Sequence, residues 1–116
     1  AFLEENIILQ PMERKLIPTG LKMEIPIGYE AQIRPRSGLS IKNGITLINC
    51  IGTIDADYRG EIKIPLINLS QEVFTIKNGD RIAQMVIMPI IQPQIQVVDE
   101  LTHTQRQEGG FGSTGV

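Results

Sequence analysis

One cysteine, one histidine and no tryptophan leave this 116-residue chain short of the groups that most often form disulfides or bind metals. Cys50 has no partner for an internal disulfide, so nothing in the chain depends on an oxidising compartment. With no histidine near it in sequence, it reads as a packed small residue rather than a nucleophile. His103 has no second histidine or cysteine at ligand spacing, and no zinc site is expected. A dominant charge is missing too. Eleven Lys+Arg against thirteen Asp+Glu give a net charge of −2, without the footprint for duplex nucleic acid or an anionic membrane. The longest apolar run, Met85 to Ile91, is broken by Pro89 and too short to span a bilayer, and no signal segment opens the chain. The expectation is one soluble, cytoplasmic domain with neither nucleic acid nor membrane as partner, in which a small, locally basic pocket remains open.

Short apolar or alternating runs are what the chain does have. Ile7 to Leu9, Lys15 to Ile17 and Lys22 to Ile27 are separated by Pro11, Pro18-Thr19-Gly20 and Pro26-Ile27-Gly28, the punctuation of strands. Tyr29 to Arg34 alternates and stops at Pro35. Arg36 to Gly44 reads as the one short helix, with Ser37-Gly38 suiting its start and Asn43-Gly44 its end. A central hairpin follows, built on Ile45 to Ile48 and the turn-bearing stretch Asn49 to Gly60. Glu61 to Leu69 puts Ile62, Ile64 and Leu66 on one face, and Pro65 points to an edge or a bulge. Val73 to Ile76, a turn at Asn78-Gly79-Asp80, and a strand over Arg81 to Ile87 come next, and Ile95 to Val98 is placed to close the sheet system. Many short strands with regular turn signals predict an all-β sandwich or jelly roll. Strands apolar on both faces, with Gln92, Gln94 and Gln96 alternating against apolar neighbours, fit a homo-oligomer. From Thr102 the periodicity ends, giving a core domain over 1–101 and a mobile tail over 102–116.

Several constellations have the chemistry for a site, and each has an ordinary alternative. Arg36-Ser37-Gly38 combines a guanidinium fork, a hydroxyl and free N–H groups suited to a phosphate, or is a plain N-cap beside a surface arginine. Gly110 to Gly115 offers hydroxyls and backbone donors around Phe111, or is only a loose tail; without a lysine or a following helix it is not a P-loop. Asp55 and Asp57 share a face of an extended segment, where one can act as a base, or both are turn aspartates bonding their own backbone. Tyr58 is a substrate platform or a core edge. Gln84, in a strand that reads as buried, needs a partner, which a bond within the sheet would also supply. Asn49 is a turn former or a reader of a base.

The order of these segments resembles that of the trimeric dUTP pyrophosphatases, the dUTPases. Arg34-Pro35-Arg36-Ser37-Gly38-Leu39 is similar to that family's second motif, and Gly52-Thr53-Ile54-Asp55-Ala56-Asp57-Tyr58-Arg59-Gly60 to its third. Asn78-Gly79-Asp80-Arg81-Ile82-Ala83-Gln84-Met85 is similar to the fourth and Gly109 to Gly115 to the fifth. The family's first motif, a Gly-Tyr-Asp-Leu-type segment whose aspartate helps to place the metal, belongs just before Ala1. Gln107 stands where a glycine usually follows the arginine matched by Arg106.

What the resemblance implies is a jelly-roll-like distorted β-barrel with one short helix, assembled as a homotrimer whose sites each draw on three subunits. It also implies hydrolysis of dUTP to dUMP and pyrophosphate with Mg2+ held by the triphosphate and waters. By position in the motifs, Asp55 would activate the water that attacks the α-phosphorus. Asn49 with the backbone of Thr53 and Ile54 would pair with uracil and leave no room for the methyl group of thymine. Tyr58 would pack under the deoxyribose, and Lys63 would add a nucleotide contact through its backbone. Arg36, Ser37, Gly38 and Gln84 would hold phosphates. The tail would close with Phe111 on uracil and Arg106, Gly112, Ser113 and Thr114 on the phosphates.

Two rivals share the fold. A dCTP deaminase needs a glutamate where this chain has Pro65, which can neither accept nor donate a proton, and has Arg-Ser-Ser where Arg36-Ser37-Gly38 stands. A non-catalytic nucleotide-binding or regulatory trimer is the other, and the retained Asp55 argues against it.

Overall fold

Alternation, proline and glycine set the elements where they fall in register with one another. A computed structural model describes residues 1–113 and 115, and Thr114, assigned above to a phosphate, lies outside them. The strands are β1 (Ile7–Leu9), β2 (Arg14–Pro18), β3 (Tyr29–Arg34), β4 (Ile45–Leu47), β5 (Gly52–Ile54), β6 (Lys63–Asn68), β7 (Phe74–Ile76) and β8 (Gln84–Pro89), with α1 (Ser37–Asn43) between β3 and β4. They form three antiparallel sheets, β1-β7, β2-β6-β4 and β5-β3-β8, that wrap one core as a jelly-roll-like distorted β-barrel. The core holds Leu9, Ile17, Ile33, Ile45, Leu47, Ile62, Ile64, Leu66, Ile76 and Ile82. No helix among the described residues is long and apolar enough to cross a membrane.

Helix α1 ends as expected, at Gly44, whose φ of 66° is the left-handed conformation of a C-cap and whose N–H bonds the carbonyl of Ser40 at 3.0 Å. Its start differs. Arg36, not Ser37, is the N-cap, and no side chain caps the helix, which leaves the first-turn N–H groups and the Ser37 hydroxyl uncommitted within the described residues.

Pro65 is not at a sheet edge. It lies on β6, the central strand of its sheet, opposite Leu16 of β2. In an antiparallel ladder the N and the carbonyl of one residue face the same neighbour. The Pro65 carbonyl accepts from Ile48 N–H at 3.0 Å, so its nitrogen faces the point just past the end of β4. The missing donor therefore removes nothing from the β2-β6 ladder.

Three other segments depart from the pattern. Residues 22–27 form no strand, although Ile25 is buried, because no neighbouring strand offers them a ladder. Segments 45–48 and 52–54 do not pair as a hairpin: β4 adds to β6 and β5 to β3, so the chain crosses between sheets at Asn49–Ile51. Residues 95–98 are not a strand either. Ile91, Ile95 and Val97 are 90%, 88% and 94% exposed, and among the described residues regular structure ends at Pro89. The Cα radius of gyration is accordingly 19.2 Å, against about 13 Å for a compact chain of this length. An arm of apolar alternation extends from the barrel without a covering surface in the single chain.

One buried polar residue ties the barrel together. Asn68 at the end of β6 donates from Nδ2 to the carbonyls of Leu9 (3.0 Å) and Glu72 (2.7 Å), and its Oδ1 accepts from the N–H and hydroxyl of Ser70 at 2.9 and 2.8 Å. Beside it, the N–H of Gln10 and, after it, Lys15 hold the carboxyl of Glu13 below the usual range.

Candidate active site

Strand β5 is an edge strand, bonded to β3 on one side only, so part of its backbone hydrogen-bonding capacity is free on the other. Where it meets β2 and the start of β6, a cleft of about 270 Å³ opens, lined by Leu16, Thr53, Ile54, Asp55, Tyr58, Glu61, Ile62 and Lys63. Five of the residues singled out in the sequence, Thr53, Ile54, Asp55, Tyr58 and Lys63, are thus brought to one place.

Asp55 opens a tight turn rather than an extended run: the N–H of Tyr58 returns to the Asp55 carbonyl at 3.1 Å. The two aspartates therefore separate. Asp55 lines both this cleft and a neighbouring cavity of about 600 Å³, whereas Asp57 lines only the second. Among the described residues the Asp55 carboxylate is bonded to no other group. The Tyr58 ring is fixed by its hydroxyl, which donates to the Glu61 carbonyl at 2.9 Å. Gly60 makes room for it, since a Cβ there would stand 2.6 Å from Cζ of Tyr58. The side chain of Glu61 accepts from Gly20 N–H at 3.0 Å and stands 3.9 Å from Lys63 Nζ.

A second group gathers at the other end of β3. Gln84, opposite Arg34 in the ladder, is exposed rather than buried, and its Nε2 donates to the Pro35 carbonyl at 2.9 Å. Arg36 Nη1 donates to the Arg81 carbonyl at 2.7 Å. These two bonds hold the loop before β8 against the start of α1, bringing Gln84 to Pro35 beside Arg36, which Ser37 and Gly38 follow in the chain. Among the described residues, none of them lines the Asp55 cleft.

Asn49 stays outside the cleft, in the crossover turn where Ile51 N–H bonds its carbonyl at 2.7 Å. Cys50 beside it is exposed, with φ 63°, rather than packed. Among the described residues the tail's hydrogen bonds are to itself. Arg106 Nε bonds the Gly109 carbonyl at 2.6 Å, Gln107 contacts His103, and Ser113 N–H bonds the Gly110 carbonyl at 3.0 Å. Phe111 is fully exposed and Gly112 is open. Gln107 has φ 47°, in the left-handed region that favours glycine.

A family profile described as dUTPase matches residues 2–115. The chain belongs to the dUTPase family. It is 61% identical over 115 residues to the deoxyuridine 5'-triphosphate nucleotidohydrolase of Finegoldia magna, covering 99% of this chain and 80% of that one. It is 62% identical over 111 residues to the protein of the same name from Nautilia profundicola, covering 96% and 78%. Among solved structures, the dUTPase of Staphylococcus bacteriophage 80alpha with dUpNHpp matches with a TM-score of 0.88 at 32% identity, covering 99% of this chain and 83% of that one. A mutant dUTPase from phage phi11 of S. aureus, described for its coordination of a structural Mg(II) ion, matches with a TM-score of 0.79 at 28% identity over 88% and 82%.

Within this dUTPase fold the sequence missed four members of the site region. Leu16, Glu61 and Ile62 line the cleft and Arg59 holds its turn from behind. Leu16 and Lys63 lie in adjacent strands, so pairing of β2 with β6 was the signal needed, and a one-dimensional pattern does not carry it.

Proposed function

We propose that this chain is a dUTP diphosphatase, converting dUTP and water to dUMP and pyrophosphate, supplying dUMP and keeping uracil out of DNA. The observation that carries the reading is the cleft that joins an uncommitted carboxylate, Asp55, to a fixed aromatic ring, Tyr58, beside an edge strand with free backbone groups.

In the reaction, Asp55 orients a water and takes its proton as the oxygen adds to the α-phosphorus. The bond from that phosphorus to the bridging oxygen breaks and pyrophosphate leaves. General-base assistance of this kind is worth roughly 10²- to 10⁴-fold. The backbone of Thr53 and Ile54, with Asn49 at the turn that feeds β5, pairs with the edge of uracil, and the backbone at Lys63 adds a contact. Tyr58 packs under the deoxyribose, where a 2′-hydroxyl collides. Arg36, Ser37, Gly38 and Gln84 bind the phosphates. The tail, treated as a unit separate from the core, closes over the nucleotide with Phe111 on the base and Arg106, Gly112, Ser113 and Thr114 on the phosphates, excluding water.

Among the described residues no three carboxylate, histidine or cysteine groups gather to hold a metal ion, which fits magnesium that would be carried mainly by triphosphate oxygens and water. When bound, it offsets the charge of the triphosphate. A homotrimer is the assembly that fits. The phosphate group, the Asp55 cleft and the tail occupy different parts of one chain, and the exposed apolar arm from Ile91 to Leu101 supports contact with further copies. The site of action proposed is the cytoplasm.

Replacing Asp55 with asparagine tests the assignment. Hydrolysis is expected to collapse while dUTP binding by calorimetry persists; turnover that survives the change removes Asp55 as the base.

A further inference from the structure

The turn that presents Asp55 and Tyr58 is held from outside the cleft. Arg59 folds back over it: Nη1 donates to the Ala56 carbonyl at 2.7 Å and to the Tyr58 carbonyl at 3.2 Å, while Nη2 stands 3.5 Å from Glu24 Oε1. With Tyr58 N–H on the Asp55 carbonyl at 3.1 Å, the carbonyls of Asp55, Ala56 and Tyr58 are all engaged. Turn tips left to solvent are the most mobile part of a fold. Here the carbonyls of Ala56 and Tyr58 are gathered by Nη1 of one planar cation whose Nη2 reaches Glu24, a span that suits the fork of arginine better than the point charge of lysine. Arg59 itself lines the 600 Å³ cavity with Glu24, Ala56 and Asp57 and does not touch the nucleotide cleft.

We propose that Arg59 is a positioning residue for the reaction: it fixes at once the direction of the Asp55 carboxylate and the plane of the Tyr58 ring, and Glu24 sets its orientation. The inference rests on the roles given above to Asp55 and Tyr58. Both side chains of the Arg59–Glu24 pair are more than half exposed, and exposed pairs add little to stability. The consequence of the pair is therefore geometric. Turnover depends on Asp55 facing the water, and preference for deoxyribose depends on the ring staying close under the sugar, so one guanidinium couples rate to sugar discrimination. Glu24 lies in the irregular segment before β3, which makes that segment part of the active-site support.

The test compares Arg59→Ala, Arg59→Lys, Glu24→Gln and Tyr58→Ala in the full chain, measuring kcat and KM for dUTP and UTP alongside urea unfolding. Arg59→Ala is expected to lower kcat for dUTP at least about tenfold and to narrow the dUTP-to-UTP ratio of kcat/KM by a similar factor, with the unfolding midpoint nearly unchanged. Arg59→Lys should recover only a small part of either loss, and Glu24→Gln should lose a few-fold. Parent-like kcat and discrimination in Arg59→Ala, beside lost discrimination in Tyr58→Ala, overturns the inference. Retained discrimination in Tyr58→Ala refutes the sugar-wall role instead; kcat of Arg59→Ala then decides alone, and a value within twofold of the parent overturns the inference. Should Arg59→Ala fail to fold, Arg59→Lys and Glu24→Gln carry the same readouts, and parent-like values in both overturn it.

Discussion

The hydroxyl of Tyr58 donates to the carbonyl of Glu61 at 2.9 Å, which turns the ring back over its own turn and presses it against Gly60. The ring is thereby fixed by a residue three positions on, before any substrate arrives. Edge strand β5 supplies one wall of the cleft and this ring another, while Leu16 and Lys63 come from the neighbouring sheet.

Gly60→Ala tests the consequence. The added methyl group would displace the half-exposed ring of Tyr58, whose far end can move into solvent at little expense to the fold. Unfolding free energy should change by less than about 1 kcal/mol. KM for dUTP should rise about tenfold, the equivalent of roughly 1.4 kcal/mol of binding. Steady-state kinetics beside urea unfolding reads both.

Deleting residues 107–116 should leave the barrel folded, because among the described residues regular structure ends at Pro89 and the tail's hydrogen bonds are to itself. Turnover of dUTP should fall about 100-fold or more through loss of closure. Circular dichroism of the truncated protein reports the fold, and single-turnover hydrolysis reports the role of the tail. Unimpaired hydrolysis would remove the tail from the mechanism.

Asn68→Ala should cost about 3 kcal/mol of stability, because it leaves the carbonyls of Leu9 and Glu72 and the Ser70 groups without their buried partner. Denaturant unfolding measures it. The kinetic constants of whatever fraction remains folded should be unchanged, since Asn68 is remote from the cleft.

Local signals in the sequence carried the elements whose neighbours are local. Tyr29–Arg34 is the strand its alternation and Pro35 predict, and α1 closes at Gly44 because only a left-handed residue can end it there. Pairing was not legible. Pro65 reads as an edge residue until Ile48 is known to stop opposite it, and 45–54 reads as a hairpin until its halves are seen to join different sheets. Ile95 to Val98 read as a strand closing the sheet system, but a strand needs a neighbour, and among the described residues one copy of the chain provides none. For the site, the motif order pointed to the residues before their geometry was known. It singled out Asp55, which the residue pattern alone left level with Asp57 because a turn and not an extended segment separates them, but it did not reveal Asn68 and Arg59, whose partners include backbone carbonyls invisible to composition.

The most direct test of the central claim is hydrolysis of dUTP by this chain with magnesium in water enriched in oxygen-18, followed by mass analysis of both products. Attack by the Asp55-activated water on the α-phosphorus places one heavy oxygen in dUMP and none in pyrophosphate, and the labelled product should vanish with Asp55→Asn. Heavy oxygen in pyrophosphate, or dUTP left intact by the unaltered protein, would contradict the account.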